Sequence, residues 1–203
     1  MDTISRRPRT RLSPEKRKLQ LLEIATEVFA NRGIGRGGHA DIADIAQVSV
    51  ATVFNYFPTR EDLVDEVLNH VVDEFNQYLK SSLSETESVR SNLELLNSNL
   101  IDNVLEEKTW IKVWFEWSSS TRDEVWPLFL SSHKENQNLI IDMFERGIEQ
   151  GEICPNHTPI NLAKMLHGIC YSLFIQANRN RDKEKLEQTS ASFLNMLCIY
   201  RDK

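Results

Sequence analysis

No run of apolar residues in this 203-residue chain approaches the ~20 needed to cross a bilayer. The arginine-bearing start lacks the apolar stretch of a secretory leader, so neither a membrane span nor export is expected. Cysteine is sparse. Cys154, Cys170 and Cys198 are odd in number, widely spaced and set among apolar neighbours, which argues against a disulfide framework and for a reducing, cytoplasmic setting. Convincing strand alternation is missing too, and so is a catalytic pair. The histidines at positions 39, 70, 133, 157 and 167 have no Ser, Cys or Asp at a spacing that makes a nucleophile and its base. An enzyme is therefore not expected, and no cofactor is called for.

Positive charge is short overall, with 24 Lys and Arg against 30 Asp and Glu and a net charge of -6. Its distribution matters more than its sum. Residues 1–60 hold 10 basic against 6 acidic side chains, while residues 61–203 hold 14 against 24. A basic head on an acidic body is the asymmetry of a chain that meets phosphates at one end only. With 40 % apolar residues, the length allows one sizeable core or two small ones.

What the head contains is a pattern of two short helices meeting at a tight turn, from His39 to Phe57. Ile42, Ala43, Ile45 and Ala46 give the first an apolar face, and Ser49 is a good N-cap for the second. Val50, Val53, Phe54 and Phe57 fall at i, i+3, i+4 and i+7 and are expected to turn inward. Ala51, Thr52, Asn55 and Tyr56 are then left to face out. That face is uncharged and suits a major groove, where Thr and Asn bond base edges, a methyl meets thymine and Tyr reaches a phosphate. An ordinary helical hairpin has the same local pattern, so the flanks carry the decision.

The flanks favour DNA. Arg6, Arg7, Arg9 and Arg11 surround Pro8 in a tail with nothing to bury, of a kind that threads into a minor groove. Ser13 and Pro14 then open a helix with Lys16, Arg17 and Lys18 near its start and Gly33 as its stop. Between Gly33 and Gly38 lie four of the seven glycines. Their spacing fits the dinucleotide fingerprint, but that fingerprint needs a strand before it and here a helix precedes. A connector with unusual backbone angles is the better reading, in which Arg36 and the amides of Gly37 and Gly38 hold a DNA phosphate. Pro58 closes the head. Thr59 to Asp62 begins a long helix with a capping-box-like start, Arg60 being counted with the DNA-binding set. The expected division is a DNA-binding domain over 1–58 and a helical domain over 59–203, with 59–80 as the linking helix.

Helices are expected near 89–106, 109–118, 122–149, 158–178 and 183–200, with Pro127 at a junction or kink. Trp110, Trp114 and Trp117 share one helical face beside Phe115. Each reads first as core and, compatibly with that, as a wall of an apolar pocket shared with Phe75, Leu79, Phe129 and Ile140. Cys154 and His157, with His167 and Cys170, have zinc-like spacing but sit in a loop and in an apolar helix, so no metal site is assigned. The last two helices carry wide apolar faces through Leu162, Leu166, Ile169 and Leu173, then Phe193, Leu197 and Tyr200. Such width calls for a second burial partner, and a symmetric four-helix dimer interface supplies one.

The run from Val48 through Phe57-Pro-Thr-Arg-Glu-Asp-Leu63 resembles the signature of the TetR family of transcriptional regulators. Pro8 to Pro14, Gly33 to Asp41, Trp114 to Trp117, Thr121 to Phe129 and Leu194 to Tyr200 resemble one branch, the quorum-sensing master regulators of the LuxR/HapR/SmcR/LitR type, LitR-type members nearest. The resemblance spans essentially the whole chain. It implies an all-α homodimer of nine helices per subunit that activates and represses promoters controlling luminescence, virulence, biofilm or motility. It assigns base recognition to Ala51, Thr52, Asn55 and Tyr56 and minor-groove contact to Arg9 and Arg11. It also implies an apolar cavity at Phe75, Leu79, Trp114, Phe129, Ile140 and Cys170, with Asn76, His133 and Leu166 at cavity positions where this chain departs from its branch. Double-stranded promoter DNA, a second copy of the chain, RNA polymerase and a small apolar ligand are the partners implied.

Overall fold

The computed structural model describes residues 12–120 and 126–197. Among them are nine helices and no strand: α1 Pro14–Arg32, α2 His39–Ala46, α3 Val50–Phe54, α4 Arg60–Ser82, α5 Val89–Leu105, α6 Thr109–Ser118, α7 Trp126–Glu149, α8 Pro159–Arg179 and α9 Lys183–Leu197. The chain divides into two compact units, Met1–Val67 and Leu68–Lys203, so α4 gives its first two turns to one and the remainder to the other.

In the first unit, local chemistry sets each boundary. Ser13 Oγ accepts the Lys16 amide at 3.3 Å, Pro14 fills the first helical position, and Gly33, at φ 87°, ends α1 in a backbone region that L side chains rarely enter. The Asp41 carboxylate turns back to accept the Gly38 amide at 3.1 Å, and Gln47, at φ 53°, ends α2. Ser49 Oγ accepts the Thr52 amide at 3.1 Å and starts α3. At α4 the capping box is complete with Asp in the role usually held by Glu or Gln. Asp62 accepts the Thr59 amide at 3.0 Å while Thr59 Oγ1 accepts the Asp62 amide at 3.0 Å. Leu21, Ala25, Phe29, Ile42, Val53, Phe57, Leu63 and Val67 are fully buried beneath these helices.

One inward assignment is corrected here. Val53 and Phe57 are buried as expected, but Val50 and Phe54 are 41 % and 45 % exposed, and Ile45 on α2 is 51 % exposed. The cause is the brevity of α3, which spans five residues. Its buried arc is filled by Val53 and Phe57, and at ~100° per residue Phe54 is carried onto the outer side.

In the second unit α5 packs against α8 and α9, and α7 against α8. Leu93, Leu100, Ile101, Trp114, Phe144, Leu162 and Leu173 are buried in its core. Two polar groups inside that core are paired, as low dielectric favours. Asn97 Nδ2 donates to Ser190 Oγ at 2.9 Å, and the Tyr78 hydroxyl donates to the Leu96 carbonyl at 2.9 Å. Pro127 is the second residue of α7 as described, and the residues before Trp126, where the expected junction or kink falls, lie outside the described set. No described helix is long and apolar enough to cross a membrane.

Candidate functional site

On α3, Ala51 and Asn55 are exposed side by side, one turn apart. Thr52 and Tyr56 are half-buried and, with Leu12, Pro14 and Arg17, line a cleft of about 440 Å³ between the start of α1 and α3. The four expected residues are therefore brought to one side of the first unit but divide into two pairs. Asn55 and Ala51 project freely. Thr52 has its hydroxyl 2.8 Å from Ser49 Oγ, which ties it to the helix cap. Arg17 was legible only as one of three neighbouring cations. The approach of the start of α1 to Thr52 and Tyr56, which no local pattern specifies, selects it to share the cleft.

The glycine connector does something other than expected. The Gly37 amide donates to the Gly33 carbonyl at 3.1 Å and the Gly38 amide to Asp41 at 3.1 Å, so both donors are already engaged and neither is turned to a phosphate. Gly37 is there for space. A Cβ on it would lie 2.7 Å from Val28 Cγ1 and 2.8 Å from Phe29 Cδ1. Arg60 braces the same loop through two N–H groups, donating to the Gly37 carbonyl at 2.6 Å and the Ile34 carbonyl at 2.7 Å. Arg36 is exposed. Arg9 and Arg11 lie outside the described residues.

The second unit holds a partly open cavity of about 390 Å³. Phe75, Leu79, Trp114, His133, Ile140, Leu166 and Cys170 all line it, as expected, together with Tyr78, Leu96, Leu100, Trp110, Ile111 and Phe115. Trp114 is thus core and pocket wall at once. It is 2 % exposed and its ring stacks on Phe75 with centroids 3.7 Å apart. Asn76 does not line the cavity; its side chain binds Asn136 on α7. The Phe129 side chain lies outside the described set. Burial, with the charge of His167 adding to it, lowers His133 from 6.5 to about 4, and burial pushes the Cys170 thiol up to about 12, so both are neutral at physiological pH. At these two positions the cavity wall offers neutral groups. Ser118, Gln137 and His167 add polar groups, and Lys164 brings an ammonium to the lining.

The faces assigned to a dimer divide differently from the expectation. Leu162, Leu166 and Leu173 are 1 %, 2 % and 0 % exposed, so they are already buried inside their own subunit and have no surface left for a second copy. Ile169 and Phe193 are half-buried. The side chain of Leu197, and Tyr200 altogether, lie outside the description. The open side of α8 carries Ile160, Met165, Gly168 and Tyr171. Among the described residues no three His, Cys, Asp or Glu converge as metal ligands.

A short helix-turn-helix with an exposed, uncharged outer face, followed in the chain by an all-helical unit around an apolar cavity, defines a DNA-binding regulator of the helix-turn-helix class. Residues 21–67 match the model of bacterial regulatory proteins of the tetR family. Over 200 residues, 98 % of this chain and 98 % of the relative, the sequence is 60 % identical to the HTH-type transcriptional regulator LuxR of Vibrio harveyi. The chain belongs to the tetR family and is a DNA-binding transcriptional regulator, not an enzyme. Solved structures with the same fold include a TetR-family regulator from Rhodococcus sp., with TM-score 0.75, 19 % identity and coverage of 90 % of this chain and 98 % of that one. FadR from Bacillus subtilis, solved in complex with stearoyl-CoA, has TM-score 0.74 and 21 % identity, covering 91 % of this chain and 99 % of that one.

Proposed function

We propose that the chain acts in the cytoplasm as a homodimeric regulator of quorum-sensing genes, such as those for luminescence, virulence, biofilm or motility, activating some promoters and repressing others. In this reading residues 1–58 are the DNA-binding head and 59–203 the regulatory and dimerisation body. The observation that carries it is the exposed Ala51–Asn55 edge beside the cleft of Arg17 and Tyr56, taken with 60 % identity to LuxR over nearly the full chain. Asn55 and Ala51 meet base edges, Arg17, Arg36 and Tyr56 meet phosphates, and Arg9 and Arg11 enter the minor groove. Two such heads must stand about 34 Å apart to enter successive major grooves. The open side of α8 is the surface that a second copy would cover. Contact with RNA polymerase is part of the activator reading.

A second reading, favoured by the cavity of about 390 Å³, is a repressor released by a small apolar effector without a quorum-sensing role. Such a ligand shifts DNA affinity only if it binds the two head spacings unequally. One experiment tests the shared core of both. Gel shift against promoter duplexes at rising salt is expected to show steep loss of affinity, because phosphate contacts release counterions. Binding that ignores duplex DNA at low salt would overturn it. A thermal-shift screen then separates the two readings, since stabilisation by an apolar small molecule supports the second.

A further inference from the structure

We propose that Phe54 reads thymine methyl groups in the major groove and that His39 is the positioning residue that holds it there. The inference rests on α3 entering that groove. Phe54 is 45 % exposed and Val50, one turn before it, is 41 % exposed, so the recognition helix has an apolar edge running alongside Ala51 and Asn55. A lone exposed apolar side chain on a protein surface is ordinary. This one is fixed. The Phe54 ring lies flat on His39, with centroids 4.0 Å apart and planes within 9°. His39 is itself held, being 8 % exposed, with Nε2 2.7 Å from the Phe57 carbonyl oxygen, a contact that places the proton on Nε2. The imidazole is therefore a shelf anchored in the core of the first unit. The phenyl ring on it is preorganised, with little rotamer freedom left to lose on binding.

A phenyl ring offers neither donor nor acceptor, so it is blind to the hydrogen-bonding pattern of base edges. The feature of the major-groove floor that it can recognise is the C5-methyl of thymine. The occupant of this edge follows from its continuity with the Ala51–Asn55 face, because whatever duplex meets Asn55 is brought to the neighbouring ring as well. Asn55 then reads polar edges and Phe54 reads methyl groups, on adjacent base pairs.

The test uses the full-length protein and the tightest duplex recovered by selection from random sequence. Each thymine is replaced in turn by deoxyuridine, which differs only in lacking the methyl, and affinities are measured by competition gel shift. The wild type is expected to lose about four-fold at one or more positions, the scale of one buried methyl. At those positions Phe54→Ala should bind thymine and deoxyuridine duplexes within about two-fold of each other, while its salt dependence stays that of the wild type. His39→Asn should blunt the same discrimination with Phe54 in place. If Phe54→Ala binds too weakly for comparison, Phe54→Leu is read instead and should keep only part of the discrimination. Salt-dependent duplex binding with no methyl dependence at any position overturns this inference and leaves the proposed function standing. Loss of duplex binding by the wild type overturns both. Equal weakening of thymine and deoxyuridine duplexes by Phe54→Ala also overturns it.

Discussion

Asn136 on α7 donates its side-chain amide to Oδ1 of Asn76 on α4 at 2.5 Å, and Asn136 is only 5 % exposed. The pair stands one residue along from Phe75, which lines the cavity. Truncating Asn76 leaves the buried Asn136 amide short of a bond, whereas Asn76 is itself only half-buried. Asn76→Ala is expected to cost about 1–3 kcal/mol, seen as a lower midpoint in urea. Asn76→Ala/Asn136→Ala should cost less than the two single changes added together, because the second truncation removes the group stranded by the first.

Gly37→Ala tests the claim that this position exists for space. The added methyl would meet Val28 Cγ1 at 2.7 Å and Phe29 Cδ1 at 2.8 Å, both on α1, and Phe29 is fully buried with no room to retreat. Overpacking of this kind costs about 1–3 kcal/mol. Denaturation should show the loss. Gly38→Ala, whose added carbon meets nothing closer than the end of Arg60 at 3.5 Å, should be far milder.

Helix ends were legible because their causes are local: Ser13, Ser49 and the Thr59–Asp62 box cap the helices they were expected to cap. The cavity was legible only in part: bulky aromatics at helical spacing leave gaps, but the same spacing reads as plain core, and the family resemblance was what implied a cavity. Orientation around a short helix was not. Val50 and Phe54 keep inward spacing, but five residues cannot bury a full stripe, and His39, eighteen residues from the carbonyl it binds, decides where the ring goes. The glycine amides were misjudged for a related reason. Their partners, Gly33 and Asp41, lie on opposite sides of the connector, and whether a turn satisfies itself depends on its closed geometry. The leucines of α8 show the same limit, since an apolar stripe does not say which neighbour covers it.

Stability should fall on mild acidification through His133. Its imidazole is neutral in the folded protein down to about 4, against 6.5 for the free side chain. A histidine whose pKa is lowered by folding contributes fully above the unfolded value, and the contribution is lost as pH falls from 6.5 toward 4, where the unfolded chain binds a proton that the folded one refuses. The slope that one such proton adds is about 1.4 kcal/mol per pH unit. Urea denaturation of the wild type and of His133→Gln across this window should show a steeper decline in the wild type. Parallel curves would show that His133 does not couple folding to protons.

Asn55→Ala and Arg17→Ala should weaken DNA binding in different ways. Asn55 reads a base edge in this account, so its loss should cost about 1–3 kcal/mol on preferred sites and little on random duplex. Arg17 meets a phosphate, so its loss should weaken all sequences alike and lower the salt slope by about 1 for each subunit. Gel shifts on one preferred and one scrambled duplex at several salt concentrations check both, and equal loss on the two duplexes by Asn55→Ala would remove its base-reading role.

Gly168 lies on the exposed side of α8, and a Cβ built on it meets nothing within 4 Å. Within one subunit this glycine has no structural reason, and in a helix it costs about 0.5–1 kcal/mol relative to Ala. Close approach of a second copy across the same side would supply the reason, since the absent side chain lets two backbones draw near. Gly168→Arg is therefore expected to keep the helical content and thermal unfolding of the subunit while splitting the dimer, read as halved mass in sedimentation. Leu162→Ala should do the opposite. That side chain is 1 % exposed within its own subunit, so its loss should cost about 2–5 kcal/mol of fold stability and affect assembly only through the folded fraction. A Gly168→Arg protein that sediments at the same mass as the wild-type dimer would place the interface elsewhere.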